Sequence, residues 1–319
     1  MSQATSVAVP IDARHALVRS LGALLETTKP RITRMVTITS MVGFVLAALG
    51  RAWAIPELIL AVLGCVVGTA LAAAGANALN QWQERDRDAR MPRTAERPLP
   101  SNRATPRSVL LLSLALSGLG VALLLLINGI VPATIAAVCV ISYVAWYTPL
   151  KTKTPWATLV GAIPGALPPL IGWAAGRPEA GWMSIGQAGG LSLFALMFVW
   201  QLPHFMAIAW VYREDYALGG YKVLPVIDPS GRTTSLVIMT TTLVLVPMTI
   251  APALALPELL GPVYITIASL SGLAVLYFAY KVCRHRTLEN ARAVFITSII
   301  HLPLLLIAMV GEAVIRAKF

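Results

Sequence analysis

The sequence predicts an all-α polytopic membrane bundle of about nine spanning helices, and three observations predict it. Hydrophobic residues make up 57% of the 319 positions and charged residues 12%, whereas soluble domains carry about a quarter charged. Stretches of about 20 apolar residues recur along almost the whole chain, each long enough to cross a hydrocarbon core of about 30 Å as a helix. The basic residues sit in the short segments between these stretches, so the net charge of +11 reflects orientation in a membrane and no nucleic-acid partner is expected.

Residues 1–34 read as a polar to amphipathic cytoplasmic N-terminal segment, and 35–319 as a single transmembrane domain. The first twenty residues lack an apolar run bounded by a small-residue cleavage site, so no signal peptide is expected and the first span serves as insertion signal. Pro30, in the basic stretch Lys29-Pro30-Arg31, suits the first turn of the helix that follows. The spans are expected at 35–49, 56–81, 108–127, 130–147, 156–175, 187–211, 234–254, 263–282 and 293–313. Arg51 and Pro56 mark the turn between the first two, and Asn128-Gly129 turns the third into the fourth. Span five contains GAIPGALPPLIG, Gly161 to Gly172, which predicts a kinked helix whose freed backbone groups line a pocket.

Charge tests the assignment. With the N-terminus inside, 21 of the 25 Lys and Arg fall on the cytoplasmic side, and Arg51, Arg177, Arg316 and Lys318 on the other. The polar segments after spans two, four and six then share one membrane face and can converge on one site. Cys65, Cys139 and Cys283 are scattered, without CxxC spacing, so neither a disulfide nor a zinc site is inferred.

The stretch after span two, Asn80 to Leu99, carries the densest chemistry. Asn80, Glu84 and Asp88 recur at i, i+4 and i+8, so a helix continuing two turns beyond the apolar stretch presents all three from one face. A sparse oxygen row suits Mg²⁺ on a diphosphate better than a closed metal cage, because Mg²⁺ fills its other positions with water and phosphate oxygens. Arg85, Arg87, Arg90, Arg93, Arg97 and Arg103 surround the row and could neutralise it or supply forked donors to phosphate. The alternative is a solvated charged loop; the helical spacing, with Asn80 in register, argues against it.

Two further groups face the same side. After span six, Arg213 and Asp215 follow His204; Asp215 could place a metal ion against a diphosphate, and an ionisable group within a span is a functional candidate. After span four, Tyr147, Lys151 and Lys153 offer compact cations for a leaving group whose charge grows as its bond to carbon breaks. His301, in span nine without an acidic neighbour in its own helix, reads as a packed polar residue.

The Asn80 stretch, with its tail Met91, Arg93, Thr94, Arg97, Pro98 and Leu99, resembles the intramembrane UbiA-type prenyltransferase superfamily, and within it the protohaem IX farnesyltransferases. Lys29-Pro30-Arg31-Ile32, Tyr147-Thr148 with Leu150-Lys151, Pro203-His204-Phe205 and Asp215-Tyr216 with Leu224-Pro225-Val226 extend the likeness along most of the chain. The resemblance implies nine helices around a central cavity open to lipid, and Mg²⁺-dependent transfer of farnesyl from farnesyl diphosphate to a vinyl group of haem b, giving haem O. It places the superfamily's Asn-x-x-x-Asp-x-x-x-Asp motif on Asn80, Glu84 and Asp88, with Glu84 as the variant position. Of the second acidic motif Asp215 is present, with Gly219 at i+4.

These expectations combine into one site. Asn80, Glu84, Asp88 and Asp215 hold the metal, Lys151 with one or more of Arg93, Arg97 and Arg213 neutralises the diphosphate, Tyr147 is a further catalytic candidate, and His204, Arg213 and Lys153 contact substrate. The resemblance implies hand-over to a haem A synthase and a terminal oxidase, and a bacterial inner membrane is expected because no transit peptide is evident. A different aromatic acceptor, a secondary transporter and a haem-handling subunit without catalysis are the competing readings.

Overall fold

A computed structural model describes residues 11–49 and 51–318; the first ten residues of the expected N-terminal segment lie outside them. Among the described residues, nine helices are long and apolar enough to span a membrane: Pro30–Ala48, Ile55–Asp88, Pro106–Asn128, Ile130–Leu150, Ala157–Gly176, Ala188–Val211, Arg232–Ala255, Pro262–Arg284 and Leu288–Arg316, here spans one to nine. Their outer faces stay apolar, with Leu126, Leu254 and Ile307 exposed, as lipid-facing surfaces require. A preceding helix, Ile11–Thr27, seats Ala23 against Ala78, Leu99 and Val109.

Span two is the long element. Its 34 residues extend about 50 Å at 1.5 Å per residue, so one end passes well beyond a hydrocarbon core of about 30 Å. Hydropathy ends the expected span at 81, but Gln, Glu and Arg are good helix formers, and Arg85 and Arg87 in the last turn complement the helix dipole. The Asn80, Glu84 and Asp88 row therefore stands on continuous helix.

Span four also outruns its expected end at 147. It continues to Leu150 by widening into a π turn over Ser142–Tyr147, and Thr148 Oγ1 donates to the Tyr143 carbonyl at 2.9 Å. Between spans six and seven the backbone folds into two short helices, Arg213–Leu218 and Leu224–Ile227.

Span five kinks at Leu167, between Ala157–Ala166 and Pro168–Gly176. It is the most enclosed span, with 72% of its apolar stretch buried. Span one crosses it at backbone contact: a Cβ on Gly43 would lie 2.1 Å from the Pro169 carbonyl oxygen, and one on Gly172 1.7 Å from that of Ser40. Neither neighbour is a side chain that can swing away. Gly172→Ala is therefore expected to lower stability in detergent by about 1–3 kcal/mol through overpacking, whereas Gly118→Ala, with nothing within 4 Å, does not lower the melting temperature, since Ala favours the helix over Gly. Equal melting temperatures for the two variants would contradict the crossing.

Candidate active site

The end of span two gathers the polar residues of the bundle. Asn80, Glu84 and Asp88 are 0%, 6% and 1% exposed, and burying such groups is costly unless each is matched. Three cations from three other segments match them. Lys29 Nζ donates to Asn80 Oδ1 at 2.7 Å, Lys151 Nζ to Glu84 Oε1 at 2.8 Å, and Arg97 Nη1 to Asp88 Oδ2 at 2.7 Å.

Local geometry presents each cation. Lys29 has φ 49°, the left-handed conformation, between the N-terminal helix and Pro30 at the start of span one. Lys151 closes span four just past the π turn, with its Nζ 4.5 Å from the centre of the Tyr147 ring. Arg97 lies in the turn-rich segment after span two, which folds back so that Thr94 Oγ1 donates to the Asp88 carbonyl at 2.9 Å. Asn80 also donates through Nδ2 to Thr148 Oγ1 at 3.0 Å, and Gln81 Nε2 donates to the Thr27 carbonyl at 3.0 Å. These bonds tie span two to span four and to the N-terminal helix.

The two lysines differ electrostatically. Burial, reinforced by the Arg97 charge, pushes the Lys29 ammonium down to about 7 despite Glu84 and Asp88 nearby. Burial acts on Lys151 in the same direction, but the Glu84 carboxylate at contact holds it well above the usual lysine range. Lys151 is thus a permanent cation, whereas Lys29 titrates near neutrality.

The segment after span six closes over this cluster. Arg93 lies over the Tyr212 and Tyr216 rings at 4.7 and 5.7 Å, with Nε 3.9 Å from Asp215 Oδ2. Arg87 Nη1 donates to the Gly219 carbonyl at 3.3 Å, Lys222 N to the Lys151 carbonyl at 2.8 Å, and Met91 packs with Tyr221 and Val223. Burial and the Glu84 charge raise the Tyr221 hydroxyl above its ordinary range.

The structure therefore gathers Asn80, Glu84, Asp88, Arg97, Lys151 and Tyr147, with Asp215 joined to the edge through Arg93. It does not gather the rest. Lys153 is exposed. Arg213 is also exposed and lines a separate cavity with Trp210 and Arg286. His204 faces span nine, where Nδ1 is 2.8 Å from Ser298 Oγ and the ring stacks on Trp200 at 4.8 Å. Sequence reasoning missed Lys29, Thr148 and Tyr221. A lysine immediately before the proline that opens span one was the available signal for the first, and the Tyr147-Thr148 stretch for the second; nothing in the sequence marked Tyr221.

The residues fit a hard cation. No group of three His, Cys, Asp or Glu occurs among the described residues, so the acidic side chains alone form no cage. However, Asp88 Oδ1 is buried without a hydrogen bond, an anionic oxygen left for a positive partner, and Glu84 and Asn80 lie one and two turns away on the same face.

The UbiA prenyltransferase family model matches residues 36–304. The chain belongs to the UbiA prenyltransferase family. It is 42% identical over 290 residues to a protoheme IX farnesyltransferase of Solibacter usitatus, covering 88% of this chain and 95% of that one. It is 39% identical over 298 residues to an enzyme of the same name from an Anaeromyxobacter species, covering 93% and 95%. In fold it is similar to a digeranylgeranylglyceryl phosphate synthase (TM-score 0.74, 18% identity, 94% of this chain and 99% of that one). A UbiA homologue from Archaeoglobus fulgidus solved with GPP and Mg²⁺ gives a TM-score of 0.63 at 15% identity, over 90% and 99% of the chains. The all-α bundle is thus that of an integral membrane prenyltransferase.

The Glu84–Lys151 pair yields a stability test. Glu84→Gln or Lys151→Met alone strands one buried charge and should cost about 3–5 kcal/mol. The double variant should lose less than the sum of the two, measured by thermal unfolding in detergent; strict additivity would contradict a direct pair.

Proposed function

We propose that the protein is a protohaem IX farnesyltransferase, which transfers farnesyl from farnesyl diphosphate to a vinyl group of haem b and forms haem O. The observation that carries the site assignment is the buried oxygen row held by three cations, with Asp88 Oδ1 unpartnered. High-coverage similarity to enzymes of that name supports the choice of acceptor.

Asn80, Glu84 and Asp88, with Asp215 at the edge, would hold Mg²⁺, which when bound supplies charge neutralisation to the diphosphate. Lys151, Arg97 and Arg93 bind the diphosphate oxygens and stabilise the charge that grows on them as the allylic C–O bond breaks. Lys29 adds a fourth donor. Tyr147 fixes the Lys151 ammonium against its ring. A carbon–carbon bond then forms between farnesyl C1 and the vinyl terminus, and water adds to the resulting haem-side cation. A proton and diphosphate leave, so no oxidant or reductant is required. The apolar bundle keeps water away until that last step.

The charge asymmetry supports a cytoplasmic N-terminus and active-site end, and a bacterial inner membrane is the expected location. A haem A synthase and the assembly of a terminal oxidase are the expected consumers of the product.

The deciding experiment incubates membranes containing the protein with haem b, farnesyl diphosphate and Mg²⁺ and analyses pigment by mass spectrometry. Wild type should produce haem O, and Asp88→Ala and Asp215→Ala should each reduce the rate by at least about 10²-fold. Unaltered haem b from folded wild-type protein would send the assignment to another acceptor.

The titration of Lys29 near 7 gives a pH signature. A bound diphosphate favours the charged lysine, so binding takes up a proton above pH 7 and none well below it. The affinity for farnesyl diphosphate should fall as pH rises, approaching about tenfold per unit above 7. Lys29→Arg, which stays charged, should flatten the profile. An unchanged profile in that variant would remove Lys29 from the diphosphate site.

A further inference from the structure

A cavity opens where span six ends and span nine begins. Its volume is about 290 Å³, and Trp210, Tyr212, Arg213, Asp215, Arg286 and Leu288 line it together with Val211 and Glu214. At the lower edge of the range for whole small-molecule sites, about 300–1,000 Å³, it suits one polar edge of a larger ligand.

Its charges point to an anion. Asp215 is already held by Arg93 at 3.9 Å, and Glu214 is the other acid of the lining. Arg213 and Arg286 are exposed and make no side-chain hydrogen bond or ion pair among the described residues. Behind Arg286, residues 281–292 add Lys281, Arg284 and Arg292 against Glu289 alone, so the local field favours carboxylates. Two unpaired guanidinium forks at one mouth match a ligand with two carboxylates.

Below the cavity the same two spans are aromatic. His204 stacks on Trp200 with an interplanar angle of 18° and approaches Phe295 of span nine at 5.3 Å. Trp200 Nε1 donates to the Ser298 carbonyl at 3.0 Å. Seven residues of helical rise, about 10 Å, separate His204 from Val211 at the cavity. A ligand with a dianionic edge matches the two guanidinium groups at the rim, and the rings of Trp200, His204 and Phe295 stand on the same two spans.

Resting on the haem reading above, we propose that this cavity anchors the acceptor, with Arg213 and Arg286 binding the two propionate carboxylates of haem b. The vinyl groups lie on the opposite edge of the porphyrin, so this anchorage sends them into the bundle. Tyr212 and Asp215 form the wall shared with Arg93, which places the anchor beside the diphosphate cluster. Arg213 thereby serves the acceptor and leaves the diphosphate to Arg93, Arg97 and Lys151.

The test compares haem b with its dimethyl ester, which lacks the two charges, in the purified full chain with farnesyl diphosphate and Mg²⁺. Wild type should bind the ester at least about tenfold more weakly by absorbance titration and show a matching rise in KM, the loss of charge-assisted hydrogen bonds. The Arg213→Gln/Arg286→Gln variant should bind haem b as weakly as the ester, with KM for farnesyl diphosphate unchanged. Arg284→Gln, in the same segment but outside the cavity, should behave as wild type. Equal binding of haem b and ester by wild type, or discrimination retained by the double variant, overturns the proposal. If wild type forms no farnesylated haem at all, the farnesyltransferase reading fails and takes the anchor with it. The absorbance titration needs no turnover, so it stays decisive if the variant is inactive.

Discussion

A buried row of oxygens must be electrically matched, and most of this end of the molecule follows from that requirement. Span two carries Asn80, Glu84 and Asp88 beyond the hydrocarbon on one helical face. Each is met at 2.7–2.8 Å by a cation from a different segment. A buried ionic group left alone costs several kcal/mol, so the N-terminal helix, the end of span four and the arginine-bearing turns are drawn to one place. The segment after span six then closes over them through Arg93 on Tyr212 and Tyr216 and through Lys222 on the Lys151 backbone. The glycine crossing of spans one and five acts at a distance on the same arrangement, because Lys29 immediately precedes span one.

The same matching prepares chemistry. Lys29, Lys151 and Arg97 hold the oxygens that the proposed function gives to a metal ion. A metal arriving alone would compete with these cations and strand them in a poorly solvated site. A metal arriving with a diphosphate offers them new acceptors. Binding of the anion and of the metal should therefore reinforce each other, and under the proposed mechanism the cations released from the row would serve the leaving group. The proposed acceptor anchor at Arg213 and Arg286 would stand outside this exchange, so charge on the haem edge would not compete with the diphosphate for the same donors.

The sequence made part of this legible. The nine spans followed from apolar length, and the row from a 3.6-residue spacing that persists across the change from apolar to charged residues. Hydropathy could not give the true end of span two, since it stops at 81 while helix propensity continues to Asp88. The partners were less visible: Lys29 and Lys151 lie 51 and 67 residues from the oxygens they meet, and only tertiary packing brings them there. The π turn that sets the start of Tyr147-Thr148 has no side-chain signature. His204 was recognisable as an unusual residue in an apolar helix, but its direction towards Ser298 and Phe295 depended on how spans six and nine pack. Lys153 and Arg213 shared the sign of the true partners without their burial, a difference that charge alone does not carry.

The most direct test of the central claim is the affinity of Mn²⁺, as a spectroscopic substitute for Mg²⁺, measured by electron paramagnetic resonance with and without a non-reactive farnesyl thiolodiphosphate. If three cations guard the row until an anion relieves them, the analogue should tighten Mn²⁺ binding at the protein by at least about tenfold, and Asp88→Asn should abolish the gain. Equally tight Mn²⁺ binding in the absence of the analogue would contradict the account, because the row would then be open to metal while Lys29, Lys151 and Arg97 remain in place.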